Sequence, residues 1–380
     1  EDINSKVEAL QSAMKNAAET HIEKKPIKAE DTSRSPELEK LFEERKQLKS
    51  EERYEDAKII TRKIRKQIRK DRLDKTIKNL EDNLWHDIKK AKTAFVPSHT
   101  KLINGKGLPC TSDERPHILA DYFENTQWAI NHDREKETPK HKIFHEAHDV
   151  KTTRFTTEEL KWVIKKMKNN KSPGPDGLPI EFFKYLDEQG LDIVLEILNE
   201  CWEREIMPSE LELAELVTLY KKGNVENPAN YRPIALLNTL YKIYASLIQV
   251  RISQGIDDRL WGTQYGFRKN RSTSQPLFVT RRMQDQAEQS GEKLFLVFLD
   301  WEKAFDKVDQ EKLLEAMTRL GLPEKMIKIL ASFYVNPQFR VKDREGKSGY
   351  RTQKAGIRQG CPLSPYLFVC LMTVMFHDVH

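Results

Sequence analysis

Apolar positions change their spacing along this chain, and each change predicts a different kind of element. From about Pro36 to Lys92 there is almost no Pro or Gly. Ile60, Ile64 and Ile68 recur at helical spacing, as do Leu73, Ile77, Leu80, Leu84 and Ile88. The pattern predicts one or two long, charged, amphipathic helices, without a heptad clean enough for a coiled coil. Residues 1–35 are polar, with Pro26 and a Ser/Thr/Asp cluster, and read as a helical remnant running into a polar linker. Pro97, Gly105, Gly107 and Pro109 interrupt the helical spacing. A helical stretch around Arg115–Trp128 follows, then a charged linker from about Asn131 to Val150.

From Thr156 the texture becomes globular. Thr157 is placed to cap a helix whose face includes Leu160, Ile164 and Met167. The loop Ser172–Gly177, with two prolines and two glycines, fixes a rigid turn. Helices are expected at about 180–187 and 191–205, then a strand at 214–220 with Tyr231–Ala235 as its antiparallel partner. Leu237, Tyr241, Tyr244 and Ile248 mark the next helix. The run Leu294–Leu299 is unbroken apolar and predicts a strand covered on both faces, delivering Asp300 to its end. Helices at roughly 310–320 and 323–334 follow, then a hairpin over Gln338–Gln353 turning near Glu345–Gly346. Ser364–Pro365 opens a final helix. Strands mixed with helices, without regular alternation, define an α+β class.

At 380 residues, with 33% charged and only 38% apolar positions, the chain suits two or three domains, with an exposed helical part beside a core. The divisions expected are 1–35 polar linker, 36–95 charged helical connector, 96–150 irregular or helical linker, and 151–380 the globular part. Net charge is only +6, yet residues 62–75 concentrate Lys and Arg, which suits a polyanion partner or a solvated helix face equally. Four scattered cysteines without a C-x-x-C exclude a disulfide framework or zinc knuckle. No signal peptide is visible, and Leu367–Phe376 is too short to span a bilayer and reads as a core helix. His141, His145 and His148 share a helical face, but in linker surroundings they read as solvated rather than metal-binding. A chain beginning with Glu and stopping at His380 reads as an excerpt of a longer polyprotein.

Candidate chemistry gathers around Asp300. A carboxylate ending an apolar strand is costly to bury unless paired or metal-bound; the plainer reading is a cap on the next turn. Lys221 and Lys222 lie beyond the strand Leu216–Tyr220, and Arg232 opens the partner strand, where a guanidinium can grip phosphate in a bidentate manner. Gly266–Thr273 sets cations and hydroxyls around Phe267, which suits a sugar–phosphate track.

The segment FLDWEKAFD (298–306) resembles the first carboxylate motif of reverse transcriptases, in the version carried by LINE-like non-LTR retrotransposons. Four other stretches fall in that family's order: NNKSPGPDGLPIEFFK (169–184), LVTLYKKG with YRPIALLN (216–238), QYGFRKNRST (264–273) and GIRQGCPLSP (356–365). The resemblance implies the fingers and first part of the palm of a right-hand polymerase, preceded by the charged helical extension. It implies an RNA-directed DNA polymerase copying element RNA by two-metal nucleotidyl transfer, with Mg²⁺ (two ions in the complete enzyme, Mn²⁺ possible). Asp300 would be the catalytic, metal-binding carboxylate, with the Trp301 carbonyl as a further ligand. Phe305 would exclude a 2′-hydroxyl; Lys221, Lys222 and Arg232 would hold the triphosphate; Gln359 and Gly360 would meet the sugar and base. Arg268, Lys269, Arg271, Ser272 and Thr273 would contact the template. Implied partners are an RNA template, a DNA primer or target, deoxynucleoside triphosphates, and a missing C-terminal palm, thumb and upstream endonuclease; no membrane is involved. Residence would be intracellular, in a cytoplasmic and nuclear ribonucleoprotein.

One departure matters. The family's second motif, a pair of adjacent aspartates, does not occur between Gly360 and His380, where the only acid is Asp378. The only Asp-Asp pair, Asp257–Asp258, stands in the wrong surroundings and reads as a solvated turn. The 380-residue chain is therefore expected not to polymerise by itself. The alternative is a non-catalytic nucleic-acid-binding remnant of a decayed or domesticated element. A group II intron-type maturase is the nearest relative to exclude, and KSPGPDG with the EKAFD spelling favours the retrotransposon branch.

Overall fold

The computed structural model describes residues 2–22, 35–51, 53–82, 102–103, 107, 109–111, 113–130, 142–143, 149–343 and 346–379. They divide into two compact units, Ile22–Ser98 and the remainder. The chain opens with α1 (Ile3–His21), in the stretch read as a helical remnant running into a polar linker. Ile3, Val7, Leu10 and Met14 form a helical stripe that joins the core of the main unit, and Lys6 Nζ pairs with Glu200 at 2.7 Å. The stripe is short and set among polar residues, which is why composition masked it.

In the smaller unit, α2 (Pro36–Ser50) packs on α3 (Tyr54–Asp82). Leu38, Ile60 and Ile64 are buried together, with Leu41, Phe42, Leu48 and Ile68 against them. The expected Ile60–Ile64–Ile68 stripe is thus the helical contact face. Leu84 and Ile88, and the three linker histidines, lie outside the described residues.

The main unit continues with α4 (Glu114–Tyr122), which runs into a π-helical turn, Phe123–Gln127. Then come α5 (Thr157–Lys166), α6 (Ile180–Lys184), α7 (Glu188–Arg204) and the short α8 (Ser209–Glu212). The cap of α5 is Thr156, not Thr157. Its hydroxyl accepts from the Glu159 N–H while the Glu159 carboxylate accepts from the Thr156 N–H, a reciprocal capping box.

β1 (Leu213–Tyr220) and β2 (Tyr231–Leu237) form the expected antiparallel pair, and α9 (Thr239–Ile256) follows. Next are α10 (Ser274–Ser290), α11 (Gln310–Arg319), α12 (Glu324–Ser332), β3 (Gln338–Lys342), β4 (Arg351–Thr352) and α13 (Ser364–Val379). The sheet order is β2-β1-β3-β4, with β3 parallel to β1 and antiparallel to β4. One face, carrying Ala214, Leu216, Ala235, Leu237, Phe339 and Val341, is buried in the main core. On the other, Glu215 is buried beneath Arg340, Lys342 and Lys347, the last at 2.7 Å. Burial alone would raise that carboxyl, but hydrogen bonds from the three cations outweigh it and hold it at about 2. The helices and this mixed sheet make the fold α+β.

The apolar run Leu294–Leu299 corrects an expectation. It forms no strand: Phe295 is 84% exposed, Val297 and Phe298 83% and Leu299 79%. Preceding it, α10 buries none of its residues. An apolar sequence becomes a covered strand only where a neighbour supplies backbone partners and a packing face. None of the four strands of the sheet pairs with this run.

Candidate active site

Two short turns predicted from separate motifs are stitched together. The Ile357 N–H donates to the Phe305 carbonyl at 2.9 Å, and the Gly356 N–H to the Val308 carbonyl at 2.7 Å. Gly356 has φ +78, and a Cβ there would lie 2.9 Å from the Phe305 and Asp306 carbonyl oxygens. The second turn closes onto the sheet: Ala235 of β2 donates its N–H to the Gln359 carbonyl at 2.8 Å. Gly360, at φ +134, approaches so near that a Cβ would sit 2.3 Å from the Ala235 oxygen. Only glycine fits such a contact.

Phe305 anchors this junction from the side. Its ring centroid lies 5.0 Å from Phe368 of α13 and 6.2 Å, edge-on, from Phe267 of the basic loop. Beside it Asp306 is buried, 5% exposed. Its Oδ1 accepts from the Trp128 indole at 3.0 Å and its Oδ2 from the Gln359 amide at 3.1 Å. Burial raises the carboxyl, while hydrogen bonds from Trp128, Gln127 and Gln359 and the charge of Lys303 pull it back; burial prevails. Lys303 in turn donates to the Tyr122 hydroxyl at 3.0 Å. In the sequence Asp306 reads as part of a local turn at most, and its partner Trp128 closes a stretch read only as helical. An indole beside a helix end was the only available signal.

The remaining predicted residues are placed less centrally. Asp300 and Trp301 are exposed, and Asp300 makes no side-chain hydrogen bond or ion pair with the described residues. It does not end a strand, so its expected setting is corrected with that of the apolar run. Lys221 and Lys222 are exposed at the start of the β1–β2 turn. Arg232 is exposed opposite Leu219, on the sheet face away from the core. Lys269, Arg271, Ser272 and Thr273 are exposed as well, with Arg271 over the Tyr265 ring.

Arg268 differs from these neighbours. It is buried, its Nε and Nη2 donating to the Asp257 carboxylate at 3.2 and 3.1 Å, and Nη1 to the Trp261 carbonyl at 2.8 Å. A guanidinium so occupied buckles its own loop and offers no free fork to a phosphate. Asp257 is no solvated turn either, since it also accepts from the Tyr366 hydroxyl at 3.0 Å. Among the described residues no group of three His, Cys, Asp or Glu side chains is arranged to hold a metal ion. No helix there is long and apolar enough to cross a membrane.

Residues 220–380 match the family described as "Reverse transcriptase (RNA-dependent DNA polymerase)". An uncharacterized 149 kDa protein of transposon TX1 from Xenopus laevis is 32% identical over 228 residues, 58% of this chain and 17% of that protein. The RNA-directed DNA polymerase of mobile element jockey from Drosophila funebris is 27% identical over 329 residues, 82% of this chain and 35% of the relative. A probable RNA-directed DNA polymerase of transposon X-element from Drosophila melanogaster is 31% identical over 237 residues, 61% of this chain and 25% of the relative. The matched part of the chain is a reverse transcriptase domain, of a nucleotidyltransferase family. The jockey and X-element relatives are themselves named as RNA-directed DNA polymerases, the second as a probable one. The chain spans only 17% to 35% of the length of these three relatives.

Proposed function

We propose that this chain is the fingers and first part of the palm of an RNA-directed DNA polymerase that copies a retrotransposon's RNA into DNA from a DNA primer. The domain divisions expected above are part of the proposal, with 36–95 as a connector and 151–380 as the polymerase portion. The carrying observation is the joining of Phe305, Gln359 and Gly360 at β2, where Ala235 holds the Gln359 carbonyl at 2.8 Å. A site for a sugar needs such a rigid floor, because positioning accounts for much of phosphoryl-transfer catalysis. Phe305, wedged between Phe267 and Phe368, is suited to exclude a 2′-hydroxyl from the sugar pocket. Gly360 lets this turn lie directly against β2, which holds Gln359 beside the pocket a base or sugar would enter. Exposed Lys221, Lys222 and Arg232 would meet the triphosphate, and Lys269, Arg271, Ser272 and Thr273 the template.

Asp300 offers an unpaired carboxylate and Trp301 a backbone carbonyl, hard oxygen donors of the kind Mg²⁺ takes. They fit one share of a site completed by substrate phosphates and by further acid from outside the described residues. When bound, Mg²⁺ or Mn²⁺ would neutralise charge developing on the transferred phosphoryl group. The polymerase would act in an intracellular ribonucleoprotein, cytoplasmic and nuclear.

A second reading, a non-catalytic nucleic-acid-binding remnant, draws support from the exposed and uncovered setting of Asp300. Primer extension separates the two. The 380-residue chain should incorporate no more than its Asp300→Ala variant, while a longer chain that supplies an adjacent aspartate pair should extend the primer in an Asp300-dependent way. Extension by the longer chain that survives Asp300→Ala would contradict the assignment.

A further inference from the structure

Asp306 has no task in the nucleotide reading, yet it stands where the turn after Phe305, the Gln359–Gly360 turn and the end of the π-helical turn after α4 converge. Its Oδ1 accepts from the Trp128 indole at 3.0 Å and its Oδ2 from the Gln359 amide at 3.1 Å, with the Gln127 side chain as a further hydrogen-bond partner of the carboxyl. An indole N–H only donates, and an ionised carboxylate only accepts. Gln359 must therefore turn its NH₂ toward Asp306 and its Oε1 the other way. Neither end is free to rearrange. Trp128 is buried, with its ring 4.9 Å edge-on from Phe339 of β3 and 5.6 Å from Phe123. The Gln359 main chain is pinned at Ala235. With both its backbone and its amide nitrogen held, the residue has one polar atom left to offer, a carbonyl-type oxygen.

Resting on the proposed nucleotide reading, we infer that Asp306 is a positioning residue that fixes the polarity of Gln359, so that Oε1 accepts a hydrogen bond from the sugar hydroxyl of the incoming nucleotide. A deoxynucleotide carries one free sugar hydroxyl, at the 3′ position, and it can donate; a 2′,3′-dideoxynucleotide has none. Trp128 thereby becomes part of the nucleotide site, although it lies well outside residues 220–380. The arrangement also explains why an acid is buried here. An amide at 306 would keep Trp128 on its oxygen and show an NH₂ to Gln359, reversing the glutamine.

The test uses the full chain, titrated with dTTP and with dideoxy-TTP in the presence of Mg²⁺. Wild type should prefer dTTP by roughly five- to tenfold, about the worth of one hydrogen bond. Asp306→Asn should abolish that preference, Gln359→Met should abolish it as well, and Asp306→Asn should add nothing in the Gln359→Met background. A preference that survives Asp306→Asn, or additive losses in the double variant, would overturn the inference. Side-chain amide resonances of ¹⁵N-glutamine-labelled chain give a readout independent of nucleotide, with the Gln359 signal identified by its loss in Gln359→Met. That signal should move in Asp306→Asn, and its failure to move overturns the positioning role whatever the nucleotides do. A signal that moves while neither nucleotide binds overturns the sugar contact and the nucleotide reading together, leaving only a structural pair.

Discussion

Phe305 and Asp300 stand five positions apart in the sequence and in opposite physical situations. On the Phe305 side, every turn is fixed by backbone hydrogen bonds, glycine contacts and aromatic packing on α13. On the Asp300 side, the apolar residues 294–299 are exposed and α10 buries none of its residues. The difference teaches that hydrophobic sequence is a capacity for burial, realised only where partners exist. Apolar surface on this scale marks an interaction site rather than a finished exterior.

The contrast is broken most severely at the closest approach. Gly360→Val should cost at least ~4 kcal/mol, since its Cβ would lie 2.3 Å from a carbonyl oxygen at a φ that L residues avoid. Denaturant unfolding would register this, with nucleotide binding lost in parallel. Next, Asp306→Ala should destabilise by about 2–3 kcal/mol by stranding the buried Trp128 and Gln359 donors.

Asp176, also on the packed side beside Asn238, gives a gain instead of a loss. Burial pushes its carboxyl up to about 6, against the Leu178 N–H and the charges of Lys15 and Lys242. A carboxyl raised in the folded state is held best when neutral, so stability falls as pH rises from about 4 through 6. Asp176→Asn should therefore stabilise the chain by about 1–2 kcal/mol at pH 8 and by little at pH 4.5. Thermal unfolding of both proteins at the two pH values checks the sign. On the uncovered side, Asp300→Ala and Phe298→Lys should each change stability by less than about 0.5 kcal/mol. A large loss from either in the same unfolding assay would mean that the segment is packed after all.

What the sequence revealed follows the same division. The β1–β2 hairpin and the starts of α6, α11, α12 and α13 were legible because local spacing and turn chemistry determine them; α10 was not expected, and Gln359–Gly360 stood out only through the family resemblance. Capping at α5 was displaced by one residue, because Thr156 and Thr157 are equally good caps and only the Glu159 side chain chooses. The strand at 294–299 was misread because its partner is a matter of tertiary structure. Arg268 looked like a phosphate contact by composition, and only the fold brings Asp257 to it. Asp306 and Trp128 lie 178 positions apart, and no local pattern joins them. The α1 stripe was hidden by its polar surroundings.

The nucleotide site itself is tested most directly by photo-crosslinking the chain with an azido-deoxynucleoside triphosphate and mapping the labelled peptides by mass spectrometry. Label competed away by unmodified dTTP should fall on peptides carrying Phe305, Gln359–Gly360 and the Lys221–Arg232 turn. Labelling elsewhere, such as on α7 or α12, or label that dTTP fails to displace, would contradict a nucleotide floor built at β2.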